Sequence, residues 1–339
     1  MIGPVLLAVA LAVLLSVAAF FILWLDRYGT EPVVRLGLVA LWGLACPLLL
    51  RLADPHLGLA GDPETLSGPG LLPAGVGLLA QLMLAAALAL VATSNFLEGP
   101  VDGAVYGTVA GLGLAVSENL IAVGTAGPAS WPVLPVFLTI VEAAAAAVVG
   151  AGIGIAKLAA RPALRVPCAL AAVGCAGMLR WALLGLASWG CGLWGSRNAP
   201  VDLALIVLAT GVLCGVFLAA LAFERRVLAA QLGEEVRLGV LAEWVASVLP
   251  SYLRRVRSEW WPERDERREI VRLLTALAYR KHHLRGLSDE SAQLYGLEVG
   301  RLRQRARTLM ALAPSGATED GDAGATRSPG GEEATARRG

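Results

Sequence analysis

The sequence contains few charged residues for its length. Asp, Glu, Lys and Arg make up 16% of its 339 residues, whereas they make up about a quarter of a typical soluble domain. Hydrophobic residues make up 56%. This composition excludes an ordinary soluble globular protein and predicts a chain that is embedded in a lipid bilayer.

Histidine and cysteine are also scarce. The three histidines are His56, His282 and His283, and none of them lies inside a long apolar segment. The five cysteines form no CxxC pair, which argues against a zinc ribbon or a disulfide framework. The sequence has no P-loop, no glycine-rich dinucleotide turn and no nucleic-acid-binding motif. We therefore expect no nucleotide cofactor and no nucleic-acid partner.

Long apolar segments dominate the first two thirds of the chain. A transmembrane helix needs about 20 mostly apolar residues to cross a core of about 30 Å. Seven segments approach or reach this length: Ile2–Leu25, Val33–Leu50, Leu71–Thr93, Val101–Gly124, Trp131–Lys157, Val166–Gly190 and Val201–Phe223. The first is not expected to be a signal peptide, because no Lys or Arg precedes it and it exceeds the roughly 7–15 residues of a signal h-region. The predicted fold class is an all-α, polytopic membrane helix bundle.

The distribution of Lys and Arg predicts the orientation of the bundle. The side expected to be cytoplasmic carries Arg27, Arg35, Lys157, Arg161, Arg165, Arg225 and Arg226. The C-terminus then lies inside, and seven crossings place the N-terminus outside. We expect an integral plasma (inner) membrane protein whose first partner is the lipid bilayer.

The charge content changes near Phe223 and predicts three regions. Residues 1–223 form the transmembrane domain. Residues 224–312 contain 17 Lys/Arg and 12 Asp/Glu, and are expected to form a cytoplasmic helical domain with amphipathic helices over Ala229–Val245 and Ile270–Ala278. Residues 313–339 contain no large apolar side chains that could build a core, and are predicted to be disordered.

A few polar side chains interrupt the apolar segments, and such groups usually face the interior of a bundle. They are Gln81, Asp102, Glu118, Asn119, Glu142 and Arg180. At a helix rise of about 1.5 Å per residue, Glu142 and Arg180 both lie roughly 15 Å from the outer face, so they could form an ion pair. The alternative is a polar site for a ligand, metal or water that includes Glu118, Asn119 and Glu142.

Small residues recur every four positions in two neighbouring segments. They are Gly103, Gly107 and Gly111 in one segment, and Ala146, Gly150 and Gly154 in the next. Faces with this spacing allow close helix packing in membranes.

The stretch from Leu97 to Gly107 carries a family resemblance. It reads Leu-Glu-Gly-Pro-Val-Asp-Gly-Ala-Val-Tyr-Gly, continues with Gly111–Ala115 and ends with Glu118-Asn119. It resembles the D-E-P-x-D-G-x-x-Y-G, G-L-G-F-A and E-N pattern of the PrsW family, intramembrane proteases distantly related to the CAAX prenyl proteases. Asp26–Pro32 is similar to the D-R-Y-x-x-E-P run of that family, and the resemblance covers about residues 20–285.

The chain departs from this family at the positions that carry the chemistry. The family's E-E-x-x-K motif would fall near Leu79, Ala80 and Met83, in a segment without a charged residue. Its first histidine corresponds to Glu142, and its second would lie between Ala176 and Arg180. Because metal-assisted hydrolysis needs several ligands and a general base, the resemblance implies zinc only if that centre were intact. We therefore predict no cofactor and no metal site.

The sequence thus predicts a PrsW-like protein whose catalytic centre is degenerate and which acts as a membrane regulator or scaffold, with membrane-anchored proteins as partners. One alternative is an active intramembrane protease with a divergent, carboxylate-based centre, for which the candidate catalytic residues are Glu98, Asp102, Glu118, Asn119 and Glu142. Another is a receptor or carrier for a small polar ligand that binds between Glu142, Arg180 and Asn119.

Overall fold

The computed structural model describes residues 33–57, 74–93, 97, 99–126, 134–159, 162–193, 199–251, 264–284 and 289–311. Within these ranges the chain is helical and has no strand. The helices are α1 (Val33–Leu57), α2 (Ala74–Thr93), α3 (Pro100–Ala126), α4 (Leu134–Leu158), α5 (Arg165–Leu193), α6 (Ala199–Arg237), α7 (Glu243–Val248), α8 (Arg264–Leu284) and α9 (Asp289–Ala311). The predicted all-α fold class is confirmed for this part of the chain.

Four of the described helices are long and apolar enough to cross a membrane. The candidate spans are Val34–Ala53, Pro135–Leu158, Arg165–Ala187 and Leu203–Arg237, and a shorter apolar helix covers Leu78–Thr93. The chain is therefore an integral membrane protein. The first predicted segment, Ile2–Leu25, lies outside the described residues, so the count of seven crossings stays a prediction.

Helix α3 begins where its sequence supplies an N-terminal cap. Pro100 is the first helical residue, where its fixed φ suits a helix and its missing N–H removes no bond. The backbone N–H of Gly99 donates to Oδ2 of Asp102 at 3.3 Å, as a side chain at the third helical position does in a capping box. The carbonyl of Gly99 accepts the first helical bond from Gly103.

Helices α3 and α4 pack antiparallel with their backbones in close contact. A Cβ on Gly103 would collide with the carbonyl of Gly150, and a Cβ on Gly107 would collide with that of Ala146. Gly111 lies against the backbone of Glu142. The small-residue spacing thus positions Glu142 at the centre of the bundle.

Helices α1 and α3 also run antiparallel. Gly43 lies against Ala110, and Gly113 lies against Ala40. Alternating crossings would instead make these two segments parallel, so Arg35 and Lys157 lie at opposite ends of the bundle rather than on one side as expected. The close backbone contact at the two glycines, and not the charge of a single arginine, orients α1.

The last helices form a second core outside the apolar bundle. Helix α6 has a candidate span of 35 residues, about 52 Å, so its charged turns from Glu224 onward extend beyond a core of about 30 Å. The side chains of this second core include Leu228, Leu232, Leu241, Val245, Leu249, Ile270, Leu274, Leu277, Val299 and Ala306. The single amphipathic helix predicted over Ala229–Val245 is wrong. Helix α6 ends at Arg237, Gly239 adopts φ +66°, and α7 begins at Glu243, because a left-handed residue ends an α-helix.

A buried carboxylate connects three helices of this second core. Glu235 of α6 accepts hydrogen bonds from Lys281 Nζ of α8 at 2.6 Å and from Arg303 Nη2 of α9 at 2.6 Å. Burial alone would raise the pKa of Glu235, but the hydrogen bonds from Arg303 and Lys281 outweigh it, so this pKa lies below its ordinary value. The predicted disordered region, residues 313–339, lies outside the described residues.

Candidate functional site

Four polar side chains meet in the middle of the apolar bundle. They are Gln81 of α2, Glu118 of α3, Glu142 of α4 and Arg180 of α5, hereafter the buried charge cluster. Gln81 and Glu142 are fully buried, and Glu118 and Arg180 are 6% and 5% exposed. The cluster lies where the four helices come together, and each helix supplies one member.

Glu142 is the central acceptor of the buried charge cluster. Its Oε1 accepts a short hydrogen bond from Nε of Arg180, and its Oε2 accepts one from Nε2 of Gln81 at 3.1 Å. Both carboxylate oxygens are therefore engaged, and the second partner comes from an uncharged helix whose only strongly polar side chain is Gln81.

Glu118 is held more loosely by the same guanidinium. Nη2 of Arg180 lies 3.3 Å from Oε1 and 3.5 Å from Oε2 of Glu118. With all three groups ionised, the cluster holds two negative charges and one positive charge, a net charge of −1. Glu118 therefore depends on Arg180 for its charge compensation, since Arg180 is the cation that contacts it in the described part of the bundle.

Asn119 makes its hydrogen bonds outside the buried charge cluster. Its Nδ2 donates to the Oγ1 of Thr139 at 3.1 Å and to the carbonyl of Pro135 at 3.2 Å. It therefore fastens α3 to the beginning of α4. Its Oδ1, like Oε1 of Gln81, is buried and has no hydrogen-bond partner among the described atoms.

The other two candidate residues do not join the cluster. Asp102 precedes Glu118 by 16 residues on the same helix, about 24 Å along its axis, and it caps the first turn of α3. Glu98 lies outside the described residues. The structure thus brings together two of the five candidate catalytic residues, Glu118 and Glu142, and separates them from Asp102 and Asn119.

The buried charge cluster coincides with a region of known relationship. Residues 80–183 match the family model of the PrsW family intramembrane metalloproteases. Over these residues the chain is related to the PrsW family. The match begins at Ala80 in α2 and ends at Leu183 in α5, so it contains all four members of the cluster. No match was found among curated proteins or among solved structures.

The side chains at this place do not fit the metal that the PrsW family name implies. Structural and catalytic zinc sites use several His, Cys or carboxylate ligands with a position left for water. The described residues contain no group of three His, Cys, Asp or Glu side chains that could hold a metal ion. The two carboxylates present already bind the guanidinium of Arg180, which occupies the place of a cation between them.

Sequence reasoning missed three contacts that involve the last helices of the chain. Arg165 of α5 contacts His283 of α8, and Glu235 contacts Lys281 and Arg303. The members of each contact are separated by 46 to 118 residues, so no local spacing could reveal them. The only signal was that both Arg165 and the tail were expected on the cytoplasmic side.

Proposed function

We propose that this PrsW-related chain is a membrane protein without proteolytic activity, and that it acts as a regulator or scaffold for membrane-anchored proteins. The observation that carries this proposal is the position of Arg180 between Glu118 and Glu142. A guanidinium stays charged at any pH at which the protein is folded. It therefore engages both carboxylates that a hydrolytic centre would need as ligands or as a base.

The geometry gives little support to a divergent hydrolase. A general base must reach the proton of an attacking water, and Glu142 already accepts bonds on both oxygens. Asp102 lies about 24 Å along α3 from Glu118, too far to act at the same centre. This distance disfavours the carboxylate-based protease.

A receptor for a small polar ligand is supported by a separate observation. Oε1 of Gln81 and Oδ1 of Asn119 are buried acceptors without a hydrogen-bond partner in the part of the chain that the structure describes. Buried polar groups are usually satisfied, so a donor-bearing ligand or a water is the second candidate. Such a ligand should raise the melting temperature with its concentration.

The membrane arrangement that we propose places the C-terminal helices in the cytoplasm of a plasma (inner) membrane protein. Lys157 and Arg165 lie at one end of the bundle, and Arg225 and Arg226 follow the apolar part of α6, in accord with an excess of cytoplasmic Lys and Arg. Residues 1–223 then form the membrane domain and residues 224–312 the cytoplasmic domain. The outside N-terminus depends on Ile2–Leu25, and the direction of α1 disagrees with the alternating crossings from which that N-terminus was predicted.

The metal content of the purified, detergent-solubilised protein tests the proposal without a known substrate. We expect no stoichiometric zinc and a melting temperature that a chelator leaves unchanged. The variant Arg180→His supplies an imidazole beside both carboxylates and serves as the matched comparison, because it removes the guanidinium and adds a ligand. We expect it to take up more zinc than the parent chain.

Either of two results would overturn the proposal. About one equivalent of zinc in the parent protein, lost in Glu118→Ala and in Glu142→Ala but retained in Asp102→Ala, would show a metal centre built on the cluster. Cleavage of a membrane-anchored protein that Glu118→Gln abolishes, in a variant that remains folded, would have the same meaning.

A further inference from the structure

The cytoplasmic end of the bundle carries a second concentration of charge, unrelated to the buried charge cluster. Lys157 lies in the last turn of α4, Arg165 begins α5, and Arg280, His282 and His283 lie in the last turns of α8. These five residues, hereafter the basic cluster, come from the consecutive helices α4 and α5 and from α8, which lies far from them in the chain. All of them carry positive charge or can acquire it.

Arg165 and His283 form the centre of the basic cluster. Nη2 of Arg165 lies 2.6 Å from Nε2 of His283. An arginine can only donate, so Nε2 accepts and the imidazole is neutral, with its proton on Nδ1. Nε of Arg165 is buried and has no hydrogen-bond partner within the described residues, so one donor of this guanidinium lacks an acceptor there.

The charged side chains that lower the pKa of His283 are all basic. Burial lowers the pKa of His283, and the neighbouring Arg165, Arg280, His282 and Lys157 act in the same direction, so that the pKa falls to about 4. Arg280 also contacts Glu298 of α9, with Nε 3.1 Å from Oε1, which compensates part of its charge. Like charges that converge on one place repel each other, and an anion bound there would relieve this repulsion.

Arg165 is surrounded by exposed apolar side chains, as expected for a residue at the headgroup region of a bilayer and not for one in bulk water. Its neighbours in sequence, Leu164 and Val166, are 49% and 66% exposed, and Leu170 and Met178 are exposed further along α5. Exposed apolar side chains on a membrane helix face lipid tails. Arg165 thus lies at the end of a lipid-facing apolar surface, at the depth where phosphates are found.

We propose that the basic cluster binds the phosphodiester of an anionic phospholipid, with Arg165 as the principal donor, Arg280 and Lys157 as flanking cations, and an acyl chain along the exposed face of α5. The bound lipid connects the membrane helices α4 and α5 with α8 of the tail. Recognition combines the charge-assisted hydrogen bond of Arg165 with the positive end of the α5 dipole. The site does not depend on whether the protein cleaves, regulates or binds a ligand.

The test uses the full chain purified in a neutral maltoside detergent and titrated separately with phosphatidylglycerol, phosphatidylcholine and glycerol 1-phosphate. We expect phosphatidylglycerol to raise the melting temperature in a saturable manner, and the other two compounds to have little effect. Arg165→Gln should weaken the apparent affinity for phosphatidylglycerol roughly fivefold, which corresponds to about 1 kcal/mol for one basic residue at an anionic surface. Native mass spectrometry of retained lipid provides a second readout.

Arg226→Gln is the matched control, because it makes the same change at an exposed arginine outside the basic cluster. It should leave the affinity within about twofold of the parent value. If Arg165→Gln does not fold, Arg165→Lys keeps the charge but removes the Nε–H and the planar fork, and should still weaken binding. An equal loss in the Arg165 and Arg226 variants would overturn the site as unspecific surface attraction. An equal response to glycerol 1-phosphate would overturn the lipid and indicate a soluble phosphate ligand.

Discussion

Arg180 donates its Nε–H to the carboxylate of Glu142 across the interface between α5 and α4, over 38 residues of sequence. This contact joins two helices at the centre of a largely apolar bundle. It also leaves Glu118, on a third helix, dependent on the same guanidinium. The stability of three helices is thus linked through one side chain.

Removal of Arg180 should strongly destabilise the bundle. The variant Arg180→Ala leaves two carboxylates without their cation in a low-dielectric interior, a loss of about 3–5 kcal/mol for a broken buried pair. Thermal or SDS unfolding of the detergent-solubilised protein measures it. Met178→Ala is the control, because Met178 on the same helix is 74% exposed and should change stability by less than about 1 kcal/mol. If Arg180→Ala and Glu142→Ala both behaved like this control, the structural role of the ion pair would be lost.

The two glutamates should respond differently to neutralisation. Glu142→Gln removes the charge from the carboxylate that accepts bonds from both Arg180 and Gln81, so we expect a loss of about 1–3 kcal/mol. Glu118→Gln removes the more weakly held charge and brings the formal charge of the cluster from −1 to 0, so stability should be unchanged or higher. Unfolding curves of Glu142→Gln and Glu118→Gln, measured in the same detergent, test this difference in stability. A larger loss in Glu118→Gln would show that Glu118 is the main partner of Arg180.

The α3–α4 contact should not tolerate a methyl group. Gly107→Ala places a Cβ against the carbonyl of Ala146, and overpacking of this kind destabilises by about 1–3 kcal/mol. Gly174→Ala in α5 is the matched control, because a Cβ there meets nothing within 4 Å. It should be neutral or slightly stabilising, since alanine favours a helix over glycine by about 1 kcal/mol. Similar melting temperatures for both variants would contradict the close packing.

The attachment of α8 should weaken as the pH falls below the ordinary pKa of histidine. The folded-state pKa of His283 is lowered from 6.5 to about 4, so between these values the unfolded segment binds a proton that the folded one does not. Stability is therefore constant above about pH 6.5 and falls toward pH 4. Hydrogen exchange of α8, measured without anionic lipid from about pH 7 to about pH 5 where most carboxylates remain ionised, should show this slope.

His283→Gln should flatten that slope, whereas His282→Gln should retain it. A slope that is unchanged in His283→Gln would assign the pH dependence to another group. The range of about pH 7 to pH 5 also separates His283 from Glu235, whose pKa lies below its ordinary value. Its contribution to stability is present above the ordinary pKa of glutamate and is lost only as the pH falls below it.

The sequence was most informative where a single physical rule governs the outcome. The apolar segments predicted the helices because a bilayer leaves few alternatives to a helix. Gly103, Gly107 and Gly150 indicated the close pair because small residues every four positions line one face. The matched depth of Glu142 and Arg180 agrees with their contact in the structure, since both helices are regular and antiparallel, and each residue lies at a similar distance from the end of the bundle where α4 begins and α5 ends.

The remaining features depend on tertiary packing, which no local pattern encodes. The direction of α1 follows from its contacts with Ala110 and Gly113. The charge of Arg35 had predicted the opposite direction. The contact between Glu118 and Arg180 could not be predicted from helix depth, because Glu118 lies closer to the end of its helix than Arg180 does. The Arg165–His283 contact requires α8 to dock beneath the bundle, which the spacing of neither segment reveals.

Helix α6 runs without interruption from Ala199 to Arg237. Its 39 residues span about 58 Å, more than the thickness of a bilayer core, and no proline interrupts them after Pro200. Bending such a helix would break backbone hydrogen bonds, so a tilt or rotation near Ala199 also moves the end near Arg237. One continuous helix therefore connects the bundle with the second core, so a partner that displaces α6 within the membrane should also displace Glu235.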